Sequence, residues 1–174
     1  MSRRFGNNRK DNFIVDVSER AREELAARRV EHVNNDISER MKFNFSFFCP
    51  ERPGYDFTNM NKDELVDFYH KLHCFGRESI QKWRRTPIGK KSGHVYELYG
   101  SFPRRSAFSV PEHVPLGVEW GRFRLDYSTR LAGFTIADNL NGKAITRNGR
   151  TFHLDSNTFY VVFLDLEHKF YLTS

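Results

Sequence analysis

The chain is organised around three strand-like runs in its C-terminal third. They read VEWGRFRLDY at 118–127, RLAGFTI at 130–136 and NTFYVVFL at 157–164, and DLEHKFY at 165–171 closes the series. Residues alternate faces along a strand, so Arg122 and Arg124 share one polar face of the first run. The distance between them along that face would be about 6.5–7 Å. We place the function in this part of the chain, where basic and aromatic residues lie near predicted strand ends.

The second run is expected to return beside the first. The two residues between the runs, Ser128 and Thr129, form a link of hairpin length, and an antiparallel return would bring Arg130 alongside Arg122 and Arg124. The third run is apolar at successive positions, which predicts a central strand covered on both faces. The connection at 137–156 holds two Asn-Gly turn signals, and residues 143–154 are compatible with a small extra hairpin.

Helices are predicted before this sheet. Asn61 followed by Glu64 is a capping box, and apolar residues follow it at helical spacing. A second helix over 77–85 ends in the basic residues Arg84 and Arg85. Cations at this position either stabilise the helix dipole or contact phosphates, and the sequence leaves both interpretations open.

The remaining long pattern lies near the N-terminus. Between residues 17 and 41 an apolar residue recurs about every four positions, which predicts a helix of about six turns. The fold class is therefore α+β, with helices packed on a small antiparallel β-sheet and an additional long N-terminal helix. We divide the chain into a disordered basic arm at 1–13, an N-terminal helix at 14–41 and a single α+β domain at 42–174.

Composition narrows the classes of function. The chain has 174 residues, no apolar window long enough for a membrane span and no apolar segment of the secretory type at its N-terminus. Only two cysteines occur, which favours a cytoplasmic protein over a disulfide framework. The net charge of +6 suits a polyanionic partner, either nucleic acid or an acidic protein, although solubility alone could also explain it.

The C-terminal third of the chain resembles the closing half of toxins of the RelE/ParE superfamily, which are small cytosolic proteins of bacterial toxin–antitoxin pairs. The residues that carry the resemblance are WGRFRLDY, RLAGFTI, FYVVFL and HKFY, in that order. By this resemblance Arg122 and Arg124 match the family's paired basic residues and Arg130 matches the arginine of the next strand. Tyr171 matches the terminal tyrosine, and the basic turn before it holds His168 and Lys169.

The resemblance implies an RNA endonuclease of the mRNA-interferase type, which cleaves through the 2′-hydroxyl without a metal or another cofactor. Arg124 and Arg130 would stabilise the phosphate, and His168 or Tyr171 would transfer the proton. The implied catalytic residues are thus Arg124, Arg130, His168 and Tyr171. The implied nucleic-acid-binding residues are Trp120, Arg122, Tyr127, Lys169, Arg84 and Arg85, with Trp120 and Tyr127 stacking a base. The implied partners are RNA or the ribosome and a small antitoxin protein, with no membrane partner.

Several features depart from this family and keep an alternative open. The chain is longer than the family's usual members, and the insertion at 137–156 has no counterpart in a minimal one. The alternative is a non-enzymatic basic protein that docks on nucleic acid or on an acidic protein, as a gyrase inhibitor or a phage-encoded inhibitor would. A metal site is not predicted, because His70, His73 and Cys74 share helical spacing but no further ligand accompanies them.

Overall fold

The structure is a computed structural model that describes residues 37–89 and 93–172. Two α-helices and seven β-strands make up its regular part. In chain order they are β1 (Lys42–Asn44), α1 (Lys62–Phe75), α2 (Ile80–Arg85), β2 (Tyr96–Gly100), β3 (Glu119–Arg124), β4 (Arg130–Thr135), β5 (Ala144–Arg147), β6 (Arg150–His153) and β7 (Thr158–Asp165). Two short 3-10 helices, Phe57–Asn59 and Asp138–Leu140, lie in the connections.

Five of these strands form one mixed sheet in the order β1-β7-β4-β3-β2. The pairs β2–β3, β3–β4 and β4–β7 are antiparallel, whereas β1 runs parallel to β7. The strands β5 and β6 form a separate two-stranded sheet. The predicted interior position of the third run is confirmed, because β7 lies between β1 and β4 and nearly all of its residues are buried.

Each face of the five-stranded sheet carries its own hydrophobic core. On one face, Phe123 and Phe159 pack with Phe75 of α1 and Trp83 of α2. On the other face, the core contains Phe108, Trp120, Phe134, Phe163 and Phe170, which come from strands and from the loops that cover them. Alternation along β3 therefore sends Phe123 to the helical side and Trp120 with its arginine neighbours to the opposite side.

The pairing of β4 with β7 depends on a glycine at a β-bulge. The register shifts between Ala132 and Gly133, and a Cβ on Gly133 would lie 2.0 Å from the carbonyl oxygen of Tyr160. Only glycine permits this approach of the two backbones, because any side chain would overlap that carbonyl. The bulge keeps Val162 and Phe163 buried on the same side of the sheet.

The predicted all-antiparallel sheet is wrong. The strand β1 adds in parallel at the edge beside β7, where the Lys42 amide donates to Asn157 O at 3.0 Å. The Asn157 side chain also donates to the carbonyl oxygens of Ser38 and Glu39 and accepts from the Ile80 amide. The helices consequently lie between β1 and β2 in the chain and do not precede the sheet.

The long N-terminal helix is also wrong where the structure describes it. Residues 37–40 form turns, and Met41 is buried, with its amide donating to Glu78 O at 3.0 Å. Ile37, by contrast, is 78% exposed, so these two residues do not belong to one helical stripe. The rest of the predicted helix at 14–41 and the arm at 1–13 lie outside the described residues.

Other local predictions are confirmed. The Asn61 side chain accepts from the amides of Asp63 and Glu64, and the Glu64 side chain accepts from the Asn61 amide, which completes the capping box of α1. Residues 143–154 form the small hairpin of β5 and β6.

Candidate functional site

Three arginines on two neighbouring strands meet on the face of the sheet opposite the helices. Arg122 and Arg124 lie on β3, and Arg130 is the first residue of β4. Arg124 is paired with Arg130 in the β3–β4 register, so the two side chains project from directly opposed positions. We call Arg122, Arg124 and Arg130 the arginine cluster.

Two of the three arginines are buried, and the cluster has no counter-ion among the residues that the structure describes. Arg130 is 2% exposed and Arg122 is 7% exposed. Among residues 37–89 and 93–172, none of the three forms an ion pair with a carboxylate within 4.0 Å. The Nε atoms of all three are buried and have no hydrogen-bond acceptor in the same part of the chain. Burying charge in this way is costly unless an anion compensates it.

The acidic residues that are paired with the cluster in the sheet register are engaged elsewhere. Asp165, the register partner of Arg130, is fully buried and accepts three backbone amides. The donors are Glu167 at 3.2 Å, Lys169 at 2.9 Å and Phe170 at 2.8 Å. Glu97, the register partner of Arg122, accepts from the His94 amide at 2.6 Å. These carboxylates therefore order loops beside the arginine cluster and do not contact its guanidinium groups.

Arg130 holds together the turn between β3 and β4. Its Nη1 donates to the carbonyl oxygens of Asp126 and Thr129, each at 2.8 Å, and its Nη2 donates to Tyr127 O at 3.1 Å. Burial, followed by the charges of Arg124 and Arg122, lowers the pKa of Arg130 to about 9. All these acceptors are neutral, so the positive charge of Arg130 is retained at the site.

Arg124 is the member of the cluster most open to a ligand. It is partly exposed, and its side chain makes no hydrogen bond to any residue that the structure describes. Burial, followed by the charge of Arg122, lowers its pKa. A Cβ on Gly93 would lie 3.4 Å from Arg124 Nη2, so the backbone at residue 93 passes close to this guanidinium.

His168 joins the cluster through Arg122. The Nη1 of Arg122 lies 3.2 Å from Nε2 of His168. A guanidinium can only donate, so Nε2 must accept and the ring proton must sit on Nδ1. Burial, followed by the charges of Arg130 and Arg122, lowers the pKa of His168, which keeps the ring neutral near pH 7. The residue has φ +59°, an unusual conformation for a non-glycine residue that is often found at functional sites.

Two stacked tyrosines complete the site. The rings of Tyr99 and Tyr171 are nearly parallel, at 3°, with centroids 5.1 Å apart. The Cζ atom of Arg122 lies 5.6 Å from the Tyr99 centroid and 5.9 Å from the Tyr171 centroid. Burial raises the pKa of Tyr99 to about 12, and its buried hydroxyl has no partner in the described chain. Tyr171 is 37% exposed and is the more accessible of the two tyrosines.

Tyr99 was not anticipated from the sequence. It lies on β2, and its position beside Arg122 depends on the register between β2 and β3. No local pattern specifies that register, because the long loop between the two strands permits many pairings. The only available signal is alternation, which puts Glu97 and Tyr99 on one face of β2.

Three other residues were predicted to bind nucleic acid, and the structure places each of them in a different environment. They are Trp120, Tyr127 and Lys169. Trp120 is 4% exposed and packs in the core against Phe102 and Phe134, a position incompatible with stacking a base. Tyr127 is 64% exposed on the turn that Arg130 holds. Lys169 forms an ion pair with Glu167.

Arg84 and Arg85 lie near the opposite end of β4. The Nη1 of Arg84 is 3.2 Å from Oδ2 of Asp138, which follows the last residue of β4, whereas Arg130 begins that strand. Arg85 is exposed at the end of α2. These two residues are therefore not part of the arginine cluster.

The described part of the chain contains no group of three or more His, Cys, Asp or Glu residues that could hold a metal ion. His73, one of the metal ligands considered above, instead stacks on Tyr69 with centroids 6.3 Å apart. In residues 37–89 and 93–172, no helix is both long and apolar enough to cross a membrane.

The arginine cluster, His168 and the tyrosine pair thus form a cationic site with a neutral imidazole beside it. Comparison with known proteins adds no family: no protein-family model, no curated protein and no solved structure matches this chain. The geometry of the site therefore carries the functional argument.

Proposed function

We propose that this chain is a metal-independent RNA endonuclease that binds a phosphodiester at the arginine cluster. One observation carries the proposal: three guanidinium groups share one end of a sheet face, with no carboxylate partner in the described chain and with a neutral histidine 3.2 Å from one of them. A phosphate would supply the missing negative charge, and the planar guanidinium suits its oxygens.

The proposed reaction uses the 2′-hydroxyl of RNA as the nucleophile. The incoming phosphate accepts the Arg122 hydrogen bond that His168 Nε2 accepts in the free protein. The released Nε2 removes the proton of the 2′-hydroxyl while the 2′-oxygen forms a bond to phosphorus. The bond from phosphorus to the 5′-oxygen breaks, and Tyr171 donates a proton to that leaving oxygen. The products carry a 2′,3′-cyclic phosphate and a 5′-hydroxyl, and a proton passes from His168 through water to restore Tyr171.

The two remaining arginines have different roles in this reaction. Arg124 is partly exposed and has no competing hydrogen bond in the described chain, so we assign it to the charge that develops on the phosphorane. The Nη atoms of Arg130 are committed to turn carbonyls, so we assign it a positioning role and a contribution to the positive potential. This revises the direct phosphate contact that the resemblance implied for Arg130.

The proposed partner is RNA, either free or on the ribosome, in a bacterial cytoplasm. A small antitoxin protein that neutralises the arginine cluster would be the second partner. The net charge of +6 supports an acidic surface on that protein.

The experiment is inducible expression in a bacterium, followed by mapping of RNA ends that carry cyclic phosphates. Wild-type protein should inhibit growth and create such ends. Arg124→Ala should reduce the growth inhibition and the number of new ends by about a hundredfold, as expected for one lost transition-state donor. Lys62→Ala, which removes an exposed cation at the start of α1, is the matched control and should behave as wild type. Equal numbers of new cyclic ends with wild type and Arg124→Ala would refute this site.

A second candidate, a non-enzymatic binder, is favoured by the burial of Arg122 and Arg130. A surface with two of its three cations covered can hold an anion without admitting a whole nucleotide. Purified wild-type protein that binds RNA and generates no cyclic phosphate ends would establish this candidate in place of the endonuclease.

A further inference from the structure

The β5–β6 hairpin projects from the five-stranded sheet as a separate two-stranded ribbon. We call residues 143–154 the ribbon. Asn148 at φ +52° and Gly149 at φ +72° form its tip, as expected for an Asn-Gly hairpin turn. All four residues of β6 are exposed, and none of the ribbon belongs to either hydrophobic core. The fold of the main sheet therefore does not explain the sequence of the ribbon.

The ribbon is strongly cationic. The stretch from 139 to 154 contains no Asp or Glu, and its basic residues are Lys143, Arg147, Arg150 and His153. Arg147 and Arg150 are directly opposed in the register beside the turn. Basic residues without acidic neighbours in the sequence suit a polyanionic partner.

An exposed aromatic residue accompanies these charges. Phe152 is 56% exposed and is the register partner of Ile145. It lies two residues from Arg150 on β6, so both project from the same face, about 6.5–7 Å apart. An aromatic ring next to a cation can stack a nucleobase while the cation contacts the adjoining phosphate.

The base of the ribbon is anchored beside α2. The Leu154 amide donates to Lys143 O at 3.0 Å, and Leu154 O accepts from Gly142 at 2.8 Å. Asp138, just before the ribbon, accepts from Gln81 at 2.8 Å and from Arg84 at 3.2 Å. Two further exposed cations of α2, Lys82 and Arg85, extend the basic surface beyond this anchor.

We propose that the ribbon is a second RNA-binding site, which docks a single-stranded segment with Phe152 under a base and Arg150 on a phosphate. Stacking on an exposed ring requires an unstacked base, which single strands offer and duplexes do not. The choice of RNA as the ligand rests on the proposed function. Arg130 is the first residue of β4 and the ribbon comes after the last, so the two ends of the strand lie about 17 Å apart. The ribbon would therefore hold RNA that flanks the phosphodiester at the arginine cluster.

The test is fluorescence anisotropy of the full chain with a labelled single-stranded RNA whose 2′-hydroxyls are all methylated. This RNA lacks the nucleophile, so binding is measured whether or not the protein cleaves. Arg150→Glu and Phe152→Ala should each weaken binding by about tenfold, and Arg150→Glu should also reduce the salt dependence. Lys62→Glu changes the net charge as much as Arg150→Glu does and should stay within about twofold of wild type.

Wild-type affinity in both ribbon variants, or tighter binding of duplex DNA than of single-stranded RNA, would overturn the ribbon proposal. Both variants should melt at the wild-type temperature, because neither residue belongs to a core. The two proposals can fail separately. If the ribbon variants lose affinity but wild-type protein leaves unmodified RNA intact, the endonuclease fails and the ribbon site stands.

Discussion

Arg122 and His168, which lie on a strand and in the turn after β7, share a hydrogen bond of 3.2 Å in which the guanidinium donates to Nε2. The bond fixes the imidazole as the neutral Nδ1-protonated tautomer. It also couples the two proposed tasks of the site, since a phosphate that binds Arg122 releases the base. The charge of Arg122 further opposes protonation of His168.

The first prediction concerns pH. Burial and the neighbouring arginines place the pKa of His168 below its ordinary value of 6.5, so cleavage should reach its plateau at a pH lower than an ordinary histidine would require. Arg122→Gln removes one of those positive charges and should raise the pKa of His168. A pH titration of the imidazole C–H resonances by NMR, with His168→Asn to assign the signal, measures both values. A His168 pKa at or above 6.5 in wild type would contradict the described electrostatics.

Protonation of His168 should also cost stability. Its folded-state pKa is depressed, so its contribution is complete above the unfolded value of about 6.5 and is lost as pH falls through the folded pKa. The free energy of unfolding from urea titrations should therefore fall over that interval. His168→Asn should lose this part of the pH dependence.

The second prediction concerns anions. A phosphate ion that binds the arginine cluster binds only the folded chain and must raise its stability. For a Kd on the order of 1 mM, about 10 mM phosphate should add about 1.4 kcal/mol relative to chloride at equal ionic strength. Thermal melts of wild type and Arg124→Ala measure the effect. Equal phosphate stabilisation in both proteins would place the anion elsewhere.

The third prediction separates Arg130 from the other two arginines. Arg130→Ala removes the side-chain donor of three turn carbonyls, of which Thr129 O still accepts from the Leu125 amide, and opens a cavity. This change should lower the free energy of unfolding by about 3 kcal/mol. Arg124→Ala breaks no hydrogen bond in the described chain and should change it by less than about 1 kcal/mol. Urea unfolding of the two variants tests this ranking. If Arg130→Ala proved the more stable, its proposed role as the residue that holds the turn would be wrong.

The fourth prediction concerns Asp165, which orders the turn carrying His168. Asn can accept through only one oxygen, so Asp165→Asn must lose the amide of Phe170 or those of Glu167 and Lys169. The loss should cost about 2–3 kcal/mol and slow cleavage by displacing His168. Asp155→Asn, at another turn where a carboxylate accepts from a nearby amide, is the control and should retain full cleavage. Wild-type cleavage by Asp165→Asn would show that this turn does not position the base.

The sequence predicts the parts of the site that depend on local geometry. Alternation along 118–127 places Arg122 and Arg124 together, and a link of hairpin length returns Arg130 beside them. The structure does place Arg130 beside these residues, opposite Arg124. The predicted two-residue link is wrong, however, because β3 ends at Arg124 and residues 125–129 form the connection. His168 and Tyr171 were predicted as site residues only from the resemblance, and both lie beside Arg122 in the structure. Whether these residues catalyse a reaction remains a prediction.

Apart from the end of the predicted N-terminal helix and the two-residue link, the incorrect predictions involve contacts between residues distant in the chain. No periodic pattern near Lys42 specifies a parallel partner, so the position of β1 beside β7 could not be derived. Tyr99 reaches the arginines only through the β2–β3 register. Trp120 shares a face with the arginines, but that face is polar at one end and apolar at the other, where loops cover it. Alternation identifies the face of a residue and says nothing about what covers that face.

The position of β7 determines when the site can assemble during synthesis of the chain. This strand is an inner member of the sheet, its partner β1 comes early in the chain, and Lys42 bonds Asp155 across 113 residues of sequence. Translation of these residues takes seconds, and the sheet cannot close before β7 emerges. His168 and Tyr171 emerge later still. A nascent chain therefore carries its arginines without His168, and the assembled site appears only after β7 and the turn that follows it have left the ribosome.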